Sequence, residues 1–502
     1  MKKRLYLNSA VSLLYQVCAV IIGLILPRLI LKQFGSEVNG IATSITQLLS
    51  VISLLDLGVG AVVQSALYKP LVDKDQKRIS EIYSRASRYF SAIAKALVIY
   101  IIVLCFYYGV FKSETYSWIF TSTLIFAIAI NYFAQYYFGI VNTLLLNADQ
   151  RIYVVSLVNL AGLILNAIAT VIMLKIGANI QLVKLVSSCV FLLRPLFLHI
   201  YVKKNYSIDI VKEPPKDAIQ NQWSGLAQHI TVAVTNSIDN VLLTIFGTFS
   251  MISIYNVYVL PLNSIRNLVE VTSNSYKSFF GNIIAKADKE ALKTEFDKYE
   301  TSMHYLTSII MSTVLVTLIP FVLVYTAGVN DANYKDILFC VTITLAYVMF
   351  ILRIIYTNII FAAGKFRETQ GYCIIECVLN ILISLVLVKP LGLSGVAIGT
   401  VISSGYRMVA SAYYLKKDVM YRPMLPFWIH MGIDFLCLAF VGLIGNLFTW
   451  SISSFMGWII YAAIVFVISI MTCTLVHFIA YRKQMVGVVK GLIRRLKFET
   501  KK

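Results

Sequence analysis

Apolar stretches of roughly 18–28 residues recur along the whole chain, and each is long enough to cross a hydrocarbon layer of about 30 Å as a helix. Short polar segments separate them. Few stretches alternate with period two, which argues against a β-barrel. The pattern predicts spans at 9–31, 39–67, 89–111, 118–146, 153–174, 185–202, 224–247, 252–276, 301–327, 337–363, 370–388, 394–415, 427–447 and 455–480. The expected fold class is therefore an all-α membrane protein of about 14 transmembrane helices. The first apolar run follows Met1-Lys2-Lys3-Arg4, as in a signal peptide, but it continues past Ile30 without a clear cleavage site. It is read as a retained first span.

Polar positions inside these stretches fall at helical spacing. Asn256, Asn263, Asn267, Glu270 and Asn274 make one stripe on span 8. Asn131, Gln135 and Asn142 do so on span 4, and His229, Asn236 and Asn240 on span 7 beside Asp239. Span 2 carries Thr43, Gln47, Ser50 and Gln64 on a broad face. One such stripe could be glue between helices. Stripes on four spans, from both halves of the chain, point to a shared wet cleft.

Composition agrees. Of 502 residues, 59% are hydrophobic and 14% charged, with a mean hydropathy of +0.77. A soluble domain carries far more charge. The net charge of +20 could suggest nucleic acid. Its distribution says otherwise. With the spans above, 32 of the 44 Lys and Arg lie on the side of the N-terminus and six on the other. That bias predicts two cytoplasmic termini and no nucleic-acid partner. The eight cysteines all fall in apolar segments, and only Cys373 and Cys377 are close, with no His nearby. Neither a disulfide framework nor a metal site is expected.

Residues 281–300 read as a short charged helix, with Glu290–Lys293 and Glu295–Lys298 pairs. Residues 203–223, with Pro214-Pro215, read as a cytoplasmic linker. The tail 481–502 reads as a basic amphipathic helix on anionic membrane lipids. No Gly-Lys-Ser/Thr phosphate loop occurs, so no ATP chemistry is expected, and no cofactor.

An internal repeat shows at an offset of about 212–215 residues. Gln33-Phe34-Gly35 answers Ile245-Phe246-Gly247, and the 147–151 junction answers 362–367. The expected organisation is a six-helix bundle at 1–202, a second at 224–415, and two further transmembrane helices at 416–480.

Charges at membrane depth are costly and usually functional. Lys95, Arg194, Glu376, Arg407 and Asp434 lie within about two turns of the cytoplasmic ends, where long side chains reach headgroups. Asp56, Asp239, Arg266, Glu270 and Arg353 lie near mid-span, and Arg28 follows Pro27 in the outer third of the first span. A cavity-facing role is expected for these six. The competing reading is a static pair, such as Arg266 with Glu270. Arginine forks match phosphate oxygens, and amides and tyrosines match sugar hydroxyls. The acids could bind a coupling ion. The candidate substrate-binding residues are Arg28, Arg266, Arg353, Asn263, Asn267, Asn236, Asn131 and Gln135. The candidate ion-coupling residues are Asp56, Asp239 and Glu270.

Three stretches carry a family resemblance: Leu26-Pro27-Arg28-Leu29-Ile30 before Phe34-Gly35 and Asn39-Gly40; Leu54-Leu55-Asp56-Leu57-Gly58-Val59-Gly60; and Ser237-Ile238-Asp239-Asn240-Val241-Leu242-Leu243 before Phe246-Gly247. They resemble the polysaccharide-exporter branch of the multidrug/oligosaccharidyl-lipid/polysaccharide flippase superfamily, which is MATE-like. The resemblance implies a V-shaped pair of six-helix bundles working by alternating access. It implies an undecaprenyl-diphosphate-linked oligosaccharide as cargo, with Arg28 and Arg266 meeting the diphosphate. One departure is Asn240, where many relatives carry a basic residue after the span-7 Asp.

The leading expectation is a lipid-linked oligosaccharide flippase driven by an ion gradient, with glycan-assembly enzymes as candidate partners. A drug/cation antiporter of the same architecture should favour acids over arginines. A membrane glycan polymerase should carry a large outer loop, and every outer loop here is short. The chain is therefore not expected to be an enzyme.

Overall fold

The structure is a computed structural model. It describes residues 2–481 except 57–58, 113–115, 212–213, 216–225, 287–288, 366 and 448–451. The basic tail after Tyr481 and about half of the linker lie outside the described residues. Among the described residues the chain is helical throughout, and ten helices are long and apolar enough to cross a membrane.

The elements run α1 (Lys2–Ser50), a 3₁₀ turn (Val51–Asp56), α2 (Val59–Asp73), α3 (Gln76–Phe111) and α4 (Trp118–Ala134). A π turn (Gln135–Gly139) leads into α5 (Ile140–Ala148), then α6 (Ile152–Lys175), α7 (Ile180–Asn205) and α8 (Leu226–Phe246). There follow α9 (Phe249–Ala285), α10 (Lys289–Tyr325), α11 (Ile337–Ala362), α12 (Gln370–Tyr414), a second π turn (Leu415–Met420), α13 (Leu425–Leu447) and α14 (Phe455–Ala480). Two of these are pairs of helices joined at a glycine. Gly35 breaks α1 at φ 79° and Gly392 breaks α12 at φ 55°. Only glycine takes that backbone cheaply. Counting each half, taking the second half of α1 with α2 as one pass, and joining α4 to α5 through the π turn, gives the fourteen expected passes.

Helix starts are closed by side chains. Asp75, Ser117, Asn179, Asp336 and Ser454 each accept a hydrogen bond from a main-chain N–H of the first turn. Such caps satisfy donors that the helix itself leaves open.

The repeat is written in the backbone. The break at Gly35 is matched by the α8–α9 break at Gly247, 212 residues on. Gln150 and Gly364, both at positive φ, lie 214 apart, and Gly177 and Gly392, also at positive φ, lie 215 apart.

The chain divides into two compact units, 1–253 and 254–502. In the first unit, the second half of α1 meets the start of α9 at very short range. A Cβ on Gly40 would lie 1.8 Å from the Phe249 carbonyl oxygen, so only glycine fits. Hydrogen bonds frame this contact: Asn39 Nδ2 donates to Ser253 Oγ at 2.9 Å, and Ser44 Oγ lies 2.6 Å from both Tyr108 and Thr244 hydroxyls. The chain after α7 is pinned to α3, where Ser80 and Ser84 accept the Asp209 and Val211 N–H groups.

In the second unit, the halves of α12 close into a hairpin across Gly395 and Gly399. A Cβ at either would meet Leu387 O or Ser384 Oγ at about 2 Å. Small residues four apart let helices approach this closely. The expected charged helix at 281–300 is instead the end of α9 and the first turns of α10, which runs unbroken from Lys289 into the apolar layer.

Candidate functional site

In the second unit, α9 and α11 bring five of the expected residues together. Asn263 Oδ1 accepts a 2.6 Å hydrogen bond from Tyr347. One turn on, Arg266 Nε lies 3.3 Å from Glu270 Oε1. The Arg266 guanidinium also covers the Phe350 ring, 4.5 Å from its centroid. Arg353 approaches the same ring at 4.1 Å, so one aromatic side chain carries two guanidinium groups. Asn267 is exposed beside them. The side chain of Asn274 lies outside the described residues.

Exposure separates the two arginines. The Arg266 and Glu270 side chains are 21% and 38% exposed, so this pair is partly open to its surroundings. Arg353 is tied down. Its Nη1 pairs with Glu376 Oε1, and the other carboxylate oxygen takes Arg407 Nη1 at 3.0 Å. Glu376 and Arg407 are buried. This corrects the expectation that both reach headgroups: Glu376 serves as the shared counterion of two arginines from α11 and α12. Among the described residues of the cluster, three cations face two anions.

In the first unit the expected residues sit in several places. Asp56 ends the 3₁₀ turn, and its Oδ1 accepts from Gly60 N at 3.3 Å. Its carboxylate lies within electrostatic range of Tyr89 and Tyr136. Asn131 is half-buried and Gln135 exposed, at the start of the π turn, a backbone form frequent at functional sites. Asn142, from the same stripe, is buried and locked between Tyr83 and the Phe138 carbonyl. Arg28 is half-buried, and Asp239 and Asn240 are buried. The side chains of Asn236 and His229 lie outside the described residues. Lys95 is exposed on α3 and lines an open groove of about 490 Å³ with Arg88, Ser87 and Ser91.

Sequence reasoning missed a second polar cluster altogether. Glu300, His304, Tyr356, Arg422, His430 and Asp434 are buried together among α10, α11, α13 and the segment before α13. Asp434 had been expected at a headgroup. Instead His304 Nδ1 lies 2.6 Å away and Ser308 donates to it at 2.5 Å. The available signal was the spacing of Asp297, Glu300, His304 and Ser308, which fall on one face of α10.

The sequence matches no family model and no curated protein. Solved structures do match. One is the lipid II flippase MurJ in an inward closed conformation: TM-score 0.73, 16% identity, 96% of this chain and 100% of that one. A second is a multidrug resistance MATE family transporter of the MOP superfamily, facing inward: TM-score 0.59, 13% identity, 79% of this chain and 96% of that one. A third is a MOP superfamily transporter from Pyrococcus furiosus, described as having a binding pocket of reverse polarity: TM-score 0.52, 13% identity, 84% of this chain and 95% of that one. The chain is a multi-pass membrane protein with the fold shared by MATE transporters and the MurJ flippase.

Proposed function

We propose that this protein is a flippase that moves undecaprenyl-diphosphate-linked oligosaccharide across the cytoplasmic membrane for polysaccharide biosynthesis. The observation that carries this reading is the reach of the structural match. The flippase likeness covers 96% of the chain, whereas the two MATE-superfamily likenesses cover 79% and 84%. The chemistry of the α9–α11 cluster supports the same choice. A cationic drug would be held by surplus acid, whereas the described residues of this cluster carry three guanidinium groups and two carboxylates. A diphosphate suits it, because a guanidinium fork meets two phosphate oxygens at once.

In this reading Arg266 opens from Glu270 to take the diphosphate. Arg353 stays on Glu376 and supplies positive potential through Phe350. In the second unit Asn263 and Asn267 meet sugar hydroxyls, and Arg28, Asn236, Asn131 and Gln135 are the cargo-binding candidates of the first unit. Asp56, Asp239 and Glu270 respond to the coupling ion. Residues 1–202 rock against 224–415, and the 203–223 segment bends. The Lys and Arg bias supports cytoplasmic termini. No step is chemical, so the protein is a carrier and not an enzyme.

The test is complementation. In cells lacking this gene, the wild-type chain should restore surface polysaccharide and clear accumulated lipid-linked glycan. The Arg266→Ala chain, at equal membrane abundance, should restore far less. Full restoration by that variant would remove Arg266 from the site. Dye efflux without glycan export would favour the antiporter.

A further inference from the structure

The cargo reading leaves the second polar cluster without a task. Its core is dry: Glu300, His304 and Asp434 are 1%, 0% and 2% exposed, and Arg422 is 6%. Buried ionisable groups are expensive unless paired, and clusters of them are candidates for a function. They also form one unbroken chain. Arg422 holds both Glu300 oxygens at 2.7 and 2.6 Å. Tyr356 OH donates to Glu300 Oε1 at 2.9 Å. The same Tyr356 oxygen lies 3.0 Å from His304 Nε2, and His304 Nδ1 lies 2.6 Å from Asp434 Oδ2. Asp297, more exposed at 44%, takes Arg422 Nη1 at 3.1 Å and marks the end nearest water.

With Glu300 held as a carboxylate by Arg422, hydrogen counting constrains the occupancy. A tyrosine has one proton to donate, and here it goes to Glu300. The bond from Tyr356 to His304 must then be made by an Nε2–H. The short contact to Asp434 is likewise best made by an Nδ1–H onto a carboxylate, which Ser308 also supports. His304 with both hydrogens is an imidazolium. Charge among the buried groups agrees, with Asp297 left to water: Glu300 and Asp434 against Arg422 and charged His304 sum to zero, whereas neutral His304 leaves Asp434 a buried anion without a cation beside it.

We infer that His304 and Asp434 form a proton-binding site, with Tyr356 and Glu300 as its access relay. A proton arriving on Glu300 passes to the Tyr356 oxygen while the Tyr356 hydroxyl proton moves to His304 Nε2. The products are Glu300 carboxylate, His304 imidazolium, and a Tyr356 hydroxyl that again donates to Glu300. Release is the reverse. With His304 neutral, Tyr356 must choose between donating to His304 and to Glu300, so proton occupancy changes the tie between α10 and α11.

The surroundings permit one charged histidine. The His430 ring stacks on His304 at 4.7 Å, its Nε2 lies 3.8 Å from Glu300, and its Nδ1 faces Tyr481 OH at 2.9 Å. His477 accompanies them from α14, its Nδ1 at 2.9 Å from the Cys473 carbonyl and 3.9 Å from the Cys437 sulfur. Arg422 and charged His304 both oppose a second proton on His430. The site deepens the transport reading, on which its purpose rests, by naming the coupling ion as a proton.

The experiment needs no cargo. The full-length protein, with ¹⁵N-labelled histidine, is placed in phosphatidylethanolamine and phosphatidylglycerol bilayers and titrated from about pH 5 to about pH 9, the range in which histidine switches. Of five histidines, the signal lost in His304→Gln is expected to be an imidazolium at the acid end and to discharge as pH rises. Asp434→Asn removes the anion and should move that transition to lower pH. Should Asp434→Asn not fold, Ser308→Ala provides the opposite sign: the carboxylate loses a donor, so the proton is held to higher pH. A His304 signal that stays neutral across the range, or a Ser308→Ala transition that does not move, overturns the proposal. Titration of His304 in a protein that moves no glycan would instead overturn the cargo reading and leave the proton site standing.

Discussion

Two clusters of arginine, acid and aromatic side chains stand in the same half of the chain, and they differ in access. Around Phe350, the Arg266–Glu270 pair is exposed on α9 while Arg353 is anchored to Glu376. Around His304, the charges are closed off and joined into a chain ending at Asp297. The first cluster, among its described residues, has three guanidinium groups against two carboxylates and a partly exposed face. The buried groups of the second, Asp297 aside, balance to zero only with one proton aboard. The lesson is that residue type alone does not separate a cargo site from an ion site. Exposure and charge balance do.

The largest effect that sharpens this contrast is expected at Glu376. Glu376→Ala leaves Arg353 and Arg407 buried without their common counterion, and removal of one partner from a buried pair costs about 3–5 kcal/mol. Thermal unfolding in detergent should fall steeply. Unchanged stability would mean that Arg353 and Arg407 are solvated, and the open and closed sites would no longer be distinct. Next comes Gly40→Ala, which puts a methyl into the Phe249 carbonyl and forces the α1–α9 contact apart. Overpacking of this kind costs about 1–3 kcal/mol, readable in the same melt. Arg266→Ala should behave in the opposite manner to Glu376→Ala. Its partly exposed pair contributes only about 0–1 kcal/mol to stability. Export of glycan should nonetheless drop roughly tenfold or more, since a charge-assisted contact to cargo contributes about 1.5–3 kcal/mol. Smallest of all is Lys298→Ala, whose exposed pair with Glu295 should leave both stability and export unchanged.

Much of the fold was legible because hydrophobic length and glycine position are local signals. The break near Gly35 and the junction at Gln150 follow from residues adjacent in sequence, and so does the repeat that relates them to Gly247 and Gly364. The site was legible in part. Asn263, Arg266 and Glu270 share one helix, so periodicity alone put them together. Glu376 and Asp434 were misplaced because depth along a span was read as reach to headgroups, while their partners sit on other helices. Arg407 and His304 could not be assigned to them without tertiary contacts. Glu300 was hidden for a different reason. The polar start of α10 looked like a separate surface helix, yet that helix continues into the apolar layer and carries Glu300 and His304 on one inward stripe.

The most direct measurement reconstitutes the purified full-length protein in vesicles with undecaprenyl-diphosphate-linked oligosaccharide and follows, by lectin capture, how much glycan faces outward over time. The account predicts time-dependent exposure by the wild-type chain, slowed roughly tenfold by Arg266→Ala in a protein that melts normally. Wild-type vesicles that expose no more glycan than empty ones, from a well-folded protein, would contradict it.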